Sequence, residues 1–162
     1  MNTPQSLTED QLRSKAALFC AREEQCRFSV RKKLKDWGAS DKIADRVVDW
    51  LCEERYIDEH RYVKAYCESK IRYQHWGHIK IEYQLRTKMI HRDLIAEGLA
   101  AVPMDEYYAI MRHVAEEKFR RMKGEGSEVC AKLAAFLCTR GFESEASYRV
   151  ARELTRGMAD VD

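Results

Sequence analysis

Residues 34–51 read LKDWGASDKIADRVVDWL, and the same pattern returns as LRTKMIHRDLIAEGLAAV in residues 85–102 and as LCTRGFESEASYRVAREL in residues 137–154. Each stretch begins with a leucine, and the three leucines are 51 and 52 residues apart. A turn position, an apolar residue and a polar residue follow, and apolar residues then recur at helical spacing. Seven columns agree across the three copies, which predicts a threefold internal repeat.

The turn column indicates where helices end and begin. Four residues after each leucine stand Gly38, Met89 and Gly141, and glycine is favoured just beyond the end of a helix. Ser40, close behind the first of these, is predicted to cap the next helix with its hydroxyl. Near the start of the chain, Thr8 and Gln11 have the spacing of a capping box, in which each side chain binds the other's backbone amide.

Further helix boundaries follow from the same kinds of signal. Asp58 is predicted to cap the fourth helix, and Pro103 to end the sixth. Ser127 is predicted to begin the eighth helix, Ser144 to cap the ninth, and the seventh to run to just before Gly124. No stretch shows the alternating pattern of a strand, so nine helices are expected.

The predicted fold is all-α, with three tandem three-helix repeats in residues 1–57, 58–103 and 104–162. A unit of about 50 residues buries little apolar surface alone, so such units stabilise one another by stacking end to end. The expected result is an elongated body, and the stacking of successive repeats can give it a curvature. Its long face would suit a filament, a nucleic acid or a large protein better than a small molecule.

The composition indicates a soluble helical protein from a reducing compartment. Charged residues make up 35% of the chain, above the usual ~25%, which is typical of thin helical structures with much solvated surface. The six cysteines form no C-x-x-C pair, and free cysteine behaves as a small hydrophobic residue. We find neither a signal peptide nor an apolar run of ~18–20 residues, so a cytoplasmic protein without a membrane span is expected. A repeat body with charged faces is often a monomer, and this is the expected oligomeric state.

The sequence offers little sign of catalysis. It has no P-loop, no G-x-G-x-x-G and no nucleophile elbow. Gly124 and Gly126 are interpreted as a hinge between helices, and His75 and His78 lack nearby acidic or cysteine ligands. Adjacent glutamates on a helix point about 100° apart and do not share a site. We therefore expect no enzyme activity, no cofactor and no metal ion.

Positive charge is concentrated in the middle of the chain. Residues 61–92, the basic island, carry 8 Lys/Arg against 2 Asp/Glu, whereas residues 1–60 carry 11 against 12. Such an island predicts an anionic partner that binds at one place. The competing interpretation is a solvated helical surface that happens to favour lysine and arginine.

Nine side chains of the island are candidates for binding a protein or nucleic-acid partner: Lys64, Lys70, Arg72, Tyr73, Trp76, Lys80, Arg86, Lys88 and Arg92. Basic residues contact phosphates or acidic side chains, and aromatic rings stack on bases or anchor protein interfaces. Tyr62 and Tyr66 have core spacing on one helix, so packing is the favoured interpretation for them. Tyr73 and Trp76 lie past the helix end and are better candidates for surface contact.

Two smaller basic clusters flank the island. The first, on the second helix, consists of Arg31, Lys32, Lys33 and Lys35. The other, near the end of the seventh helix, consists of Lys118, Arg120, Arg121 and Lys123. If the repeats stack, equivalent helices would line the three groups along one face. A surface with the groups on different sides would count against this hypothesis.

Two stretches resemble motifs of the RecX family. Residues 56–63 read YIDEHRYV, similar to the family's run of Tyr, Ile or Leu, Asp, acid, any residue, Arg, aromatic and small apolar. Residues 77–90 read GHIKIEYQLRTKMI, similar to the family's Gly-x-x-(Lys/Arg)-Ile-x-x-(Glu/Gln)-Leu-x-x-Lys-Gly-Ile. Lys33 and Leu34 with Gly38 form a weaker third match. The chain departs from the family at the penultimate position of the second motif, where methionine replaces the common glycine.

The resemblance extends over nearly the whole chain, including the triple repeat. It implies a protein that binds RecA, the recombinase that coats single-stranded DNA in bacteria. Such proteins lie in the groove of the RecA filament and usually limit its growth or activity in recombination and repair. The basic island would then meet acidic RecA surface or the single-stranded DNA.

Two other interpretations stay open. A RecA-independent nucleic-acid binder with helix-turn-helix-like units would place small and amide side chains at the start of a recognition helix. The third repeat offers Ser144, Glu145 and Ala146 there, which is acidic and fits poorly. A purely structural helical adaptor would leave the basic island without a role, and neutralising its charges would change no binding.

Overall fold

The computed structural model describes residues 5–158, and over that range the chain forms nine α-helices and no strand. The helices are α1 Glu9–Arg22, α2 Arg27–Asp36, α3 Asp41–Glu53, α4 Glu59–Arg72, α5 His78–Thr87, α6 Arg92–Leu99, α7 Met104–Phe119, α8 Gly126–Thr139 and α9 Ser144–Thr155. We name α1–α3 the first repeat, α4–α6 the middle repeat and α7–α9 the third repeat. The predicted all-α repeat fold is confirmed.

Three predicted caps are present. The Thr8 hydroxyl accepts from the Gln11 amide at 3.2 Å, and the Gln11 side chain accepts from the Thr8 amide at 2.8 Å. The Ser40 hydroxyl accepts a hydrogen bond from the Ile43 amide at 3.3 Å, and the Asp58 carboxylate accepts one from the Arg61 amide at 3.1 Å. Each cap satisfies an amide that the first helical turn leaves without a partner.

Other predicted boundaries were wrong by a few residues. Helix α8 begins at Gly126 rather than Ser127, and the cap position of α9 is Glu143 rather than Ser144. The carbonyl of Glu143 already accepts the first helical hydrogen bond, at 2.9 Å, so the helix starts one residue early. Helix α7 ends at Phe119, well before Gly124, because the backbone tightens into a turn at its last residues.

The repeated turn has the same geometry in all three copies. Its central residue has a positive φ in each: +93° at Gly38, +59° at Met89 and +95° at Gly141. The amide of the following apolar residue donates back to the carbonyl of the repeat's leucine at 3.0, 3.2 and 3.1 Å. These bonds join Ala39 to Leu34, Ile90 to Leu85 and Phe142 to Leu137. The turn column identified in the sequence is therefore a structural repeat.

The apolar core is divided unequally among the repeats. The first repeat has its own core, which includes Leu12, Leu34 and Leu51. The middle and third repeats share one core, in which Leu85 of α5 and Leu137 of α8 belong to the same cluster. The repeats therefore meet at two different contacts, which we name the first joint (first to middle repeat) and the second joint (middle to third repeat).

The first joint is narrow and largely polar. Arg61 at the start of α4 pairs with Glu24, from the loop before α2, and also donates to the Arg55 carbonyl at 3.1 Å. Cys26, at the cap position of α2, is fully buried among residues of the shared core. One small apolar side chain and a few exposed hydrogen bonds thus connect the first repeat to the rest.

The second joint is close-packed. The Gly77 amide donates to the Arg140 carbonyl at 2.8 Å, and the Ile79 amide donates to the Gly141 carbonyl at 3.0 Å. A Cβ atom on Gly77 would lie 2.2 Å from backbone atoms of Gly141, a distance that no side chain tolerates. The N-terminus of α5 is therefore seated directly on the turn between α8 and α9.

A partly buried polar network completes the second joint. The Tyr107 hydroxyl accepts from the His78 amide at 3.1 Å and donates to a Glu143 carboxylate oxygen at 2.7 Å. The His78 ring stacks on the Tyr107 ring at 3.8 Å, and its Nδ1 lies 3.2 Å from the other Glu143 oxygen. Burial alone would raise the pKa of the Glu143 carboxyl, but hydrogen bonds from His78 and Tyr107 outweigh it and hold that pKa below its ordinary value.

Candidate functional site

Six side chains of the middle repeat form a row in which lysines alternate with aromatic rings. We name this row the ladder; its members are Lys80, Trp76, Lys70, Tyr66, Lys88 and Tyr62. Four of the nine candidates from the basic island belong to it. The two tyrosines had been interpreted as core residues.

Trp76 contacts two lysines at one end of the ladder. The Lys80 ammonium lies 4.3 Å from the indole centroid, and the Lys70 ammonium lies 4.5 Å from it. Lys70 also lies 5.3 Å from the Tyr66 ring, so one ammonium joins two aromatic rings. Cation–π contacts of this kind contribute about 0.5–1 kcal/mol each when exposed.

Lys88 closes the other end. Its ammonium lies 5.5 Å from the Tyr66 ring and 5.6 Å from the Tyr62 ring, and it donates to the Tyr62 hydroxyl at 2.9 Å. The two tyrosine rings are 5.8 Å apart. Tyr62 is only 6% exposed, as its core interpretation predicted, and this burial raises the pKa of its hydroxyl. Tyr66 is half-buried, with one side against the core and the other towards the lysines.

The ladder arises from the helical spacing of residues on α4 and α5. Tyr62, Tyr66 and Lys70 are four residues apart on α4, so they form one stripe along that helix. Lys80 lies in the first turn of α5 and Lys88 at its end, two turns later and on the same side. The buried Ile81 holds α5 against the core, which brings the two stripes together.

A cleft of about 440 Å³ opens beside the ladder. One wall consists of Tyr66, Lys70 and Lys88, and the other consists of Glu23 and Gln25 from the loop between α1 and α2. The cleft therefore lies at the first joint and combines basic and aromatic groups with one acidic rim. Such a wall can bind oxyanions through the ammonium groups and planar groups through the rings.

The four other basic candidates of the island lie beside carboxylates. Arg72 makes a bidentate ion pair with Glu106, with hydrogen bonds of 2.8 and 3.1 Å. This pair holds the pKa of the Glu106 carboxyl below its ordinary value. Lys64, Arg86 and Arg92 are strongly exposed, and each is about 4.0 Å from a neighbouring acid on its own helix. Tyr73 is 79% exposed, as its position past the helix end predicted.

Side chains of the first basic cluster pair mainly with carboxylates of their own repeat. Arg31 bonds to Asp45 at 2.9 Å and to Asp41 at 3.1 Å, and Lys35 lies 2.9 Å from Asp41. The hydrogen bond from Lys35 is the main cause that lowers the pKa of the Asp41 carboxyl. Lys33 lies 5.7 Å from the ring of Phe19, whereas Lys32 is exposed.

The third basic cluster borders two clefts, one within the third repeat and one between that repeat and the loop before α5. The Lys118 ammonium lies 5.0 Å from the Phe136 ring, and Lys118 lines both clefts. Arg121 lines one of them and Lys123 the other, while Arg120 pairs with Glu117 at 2.8 Å. That the three basic groups share one face stays a prediction.

Sequence reasoning missed the acidic rim and the polar network of the second joint. Glu23 and Gln25 are distant in sequence from α4, and no spacing rule connects them to Lys88. The stripe of Tyr62, Tyr66 and Lys70 was visible as an i, i+4, i+8 series, but only the fold shows that a second stripe faces it.

Residues 5–158 lack two further kinds of feature. No group of three or more His, Cys, Asp or Glu side chains in that range is arranged to hold a metal ion. None of the helices in the described part of the chain is both long enough and apolar enough to cross a membrane.

Comparison with known proteins gives consistent matches. Residues 58–99 match the family model "RecX, second three-helix domain", and residues 105–150 match "RecX, third three-helix domain". A Regulatory protein RecX from Clostridium acetobutylicum is 28% identical over 147 residues, which cover 88% of this chain and 68% of that protein. A Regulatory protein RecX from Vibrio campbellii is 26% identical over 152 residues, with coverage of 92% and 97%.

Two crystal structures share the fold. A regulatory protein RecX superposes with a TM-score of 0.72 at 20% identity, over 96% of this chain and 81% of that one. RecX from Lactobacillus salivarius superposes with a TM-score of 0.76 at 16% identity, over 90% and 96%. The two matched domains together span more than half of the sequence, and the chain therefore belongs to the RecX family of regulatory proteins.

Proposed function

We propose that this protein binds the RecA filament on single-stranded DNA and inhibits its growth and activity. Membership of a family of regulatory proteins supports a role in control, and the ladder is the observation that supports the site. The protein would act by binding rather than by catalysis, as a monomer, in the bacterial cytoplasm where recombination and repair take place.

The ladder suits a charged, extended partner for a physical reason. Its three ammonium groups each rest on an aromatic ring, so they are already partly ordered and lose little side-chain entropy on binding. Each is a multiple hydrogen-bond donor for phosphate or carboxylate oxygens. A filament offers such oxygens at regular intervals, along a length that a chain of repeats can follow.

The test is RecA-catalysed ATP hydrolysis on single-stranded DNA at fixed salt. We expect clear inhibition at substoichiometric amounts of the protein and loss of that inhibition in the triple variant Lys70→Ala/Lys80→Ala/Lys88→Ala. The matched control is Lys64→Ala/Arg86→Ala/Arg92→Ala, which removes the same charge from the same repeat outside the ladder. If both triple variants lose inhibition equally, general charge rather than the ladder is responsible.

The alternating cations and rings also suit a RecA-independent nucleic-acid binder, because aromatic platforms flanked by positive charge bind single strands without sequence preference. This second function predicts tight DNA binding without RecA and no effect on ATP hydrolysis at any ratio. Its binding would weaken steeply with salt, since bound phosphates release counterions.

A further inference from the structure

A second cationic cleft lies away from the ladder, between α7, α8 and the loop that precedes α5. Its volume is about 440 Å³. Five basic side chains line it: His75, His113, Lys118, Arg121 and Arg140. Its one carboxylate, Glu117, accepts a hydrogen bond from Arg120 at 2.8 Å. The cleft therefore carries an excess of hydrogen-bond donors and of positive charge.

The loop residue in this cleft is held in a costly conformation. His75 has φ of +56°. This is the left-handed region, which residues other than glycine adopt at a cost of about 1–2 kcal/mol. Arg140 stabilises it by donating to the His75 carbonyl at 3.1 Å and to the Gln74 carbonyl. The His75 ring then meets the His113 ring edge to face, with centroids 6.4 Å apart. Residues in sparsely populated backbone conformations cluster at active sites and ligand clamps, which makes this loop a candidate for one.

The opposite wall positions a further cation. The Lys118 ammonium lies 5.0 Å from the Phe136 ring, which forms an apolar part of the lining. Arg121 follows Lys118 by three residues at the end of α7. Side chains that can donate hydrogen bonds thus border the cleft from three places: the loop, α7 and the residue just after α8. This last one, Arg140, bonds to the loop through Nε and Nη2, which leaves its Nη1 group as the one not committed to the loop.

We propose that this cleft binds a phosphate group. Donors that converge from three directions match a tetrahedral oxyanion, which offers acceptor oxygens on every side, better than a planar carboxylate with two oxygens. The phosphate can belong to a nucleic-acid backbone or to a free nucleotide or pyrophosphate. The proposal does not depend on binding to RecA or on the ladder.

The experiment is a titration of the full chain, followed by NMR of the histidine imidazole signals at constant ionic strength. One arm uses pyrophosphate as the probe and the other a short oligothymidylate. The signals of His75 and His113 should shift and saturate. Those of His60 and His91, which lie beside Glu97 and Asp93 on the middle repeat, serve as internal controls and should not shift.

The variant Lys118→Ala/Arg121→Ala should raise the dissociation constant about tenfold or more, because two charged donors are removed. The matched control is Lys42→Ala, an exposed lysine on α3, which should leave the affinity unchanged. Saturable shifts with both probes, or with pyrophosphate alone, support a site for free phosphate groups. Shifts with the oligonucleotide alone support a site for strand phosphates.

Three outcomes would overturn the proposal: no shift with either probe, equal shifts of all four histidines, or an unchanged affinity in the double variant. A failure of RecA inhibition in the ladder experiment would leave this titration unaffected. The two proposals therefore stand or fall on separate measurements.

Discussion

The two joints differ in how they hold neighbouring repeats together. At the second joint, backbone contacts backbone at Gly77, a shared apolar core runs through, and a polar network lies beneath. At the first joint, a buried Cys26 and the exposed hydrogen bonds of Arg61 make the connection. The middle and third repeats thus form one packed unit, to which the first repeat is attached by weaker, solvated contacts.

This difference bears on both stretches that resemble motifs of the family. Residues 56–63 cross the first joint: Ile57 is buried in the first core, and Val63 is buried in the shared core. Residues 77–90 begin at the second joint and supply two ladder lysines. Each motif therefore includes residues at a contact between repeats, and the ladder's cleft lies at the weaker of the two contacts.

The largest expected effect is at the second joint. Gly77→Ala places a methyl group 2.2 Å from the Gly141 backbone, so α5 must shift away from the α8–α9 turn. We expect a loss of about 2–4 kcal/mol in the free energy of unfolding, measured by chemical denaturation. Gly157→Ala is the control, since nothing lies within 4 Å of its added Cβ. Equal effects of the two substitutions would contradict a close-packed joint.

Removal of the Tyr107 hydroxyl should weaken the second joint less than Gly77→Ala does. Tyr107→Phe leaves the His78 amide and the Glu143 carboxylate without the hydroxyl that links them, at a cost of about 1–3 kcal/mol. The control is Tyr108→Phe, the same change on the 39% exposed neighbour. If thermal unfolding shifts equally in both variants, the network does not contribute to stability.

The network should also make the second joint sensitive to acid. The folded-state pKa of Glu143 lies below its ordinary value, so its stabilisation is complete above that ordinary value and is lost as pH falls through the folded-state pKa. Glu143→Gln should therefore be less stable than the natural protein at neutral pH, and the difference should shrink in acid. Unfolding free energies measured across this range check it, and a difference that does not change with pH would exclude the carboxylate as its source.

The sequence predicted the repeats better than the contacts between them. The turn positions at Gly38 and Gly141 were readable because glycine just beyond a helix is a local signal. At Met89 that signal is missing, and only the alignment with the other two copies indicated the turn. The Gly77–Gly141 contact and the pairing of Arg72 with Glu106 join residues far apart in sequence. No periodicity encodes such pairs, so the ladder and the joints could not be derived from one sequence.

At the first joint, Arg61→Ala should cost about 1 kcal/mol, because exposed ion pairs contribute little even when hydrogen bonds accompany them. Its more specific effect should be greater independence of the first repeat, detected as different NMR relaxation of α1–α3 relative to α4–α9. Arg46→Ala removes a comparable pair with Glu9, which lies within the first repeat, and should leave the relative motion unchanged. High salt should reduce the difference between Arg61→Ala and the natural protein.

The smallest effect is expected in the turn of the middle repeat, which belongs to neither joint. Met89 is 79% exposed and has φ of +59°, where its side chain gains little contact and its backbone is strained. Met89→Gly relieves a left-handed cost of about 1–2 kcal/mol and adds about 0.5–1 kcal/mol of unfolded-state entropy, so it should stabilise the protein by about 0.5–1 kcal/mol. Denaturation should show that gain with unchanged relaxation in the first repeat, because relief of strain in a turn leaves both joints intact. A loss of stability would mean that the methionine side chain makes contacts that its exposure does not indicate.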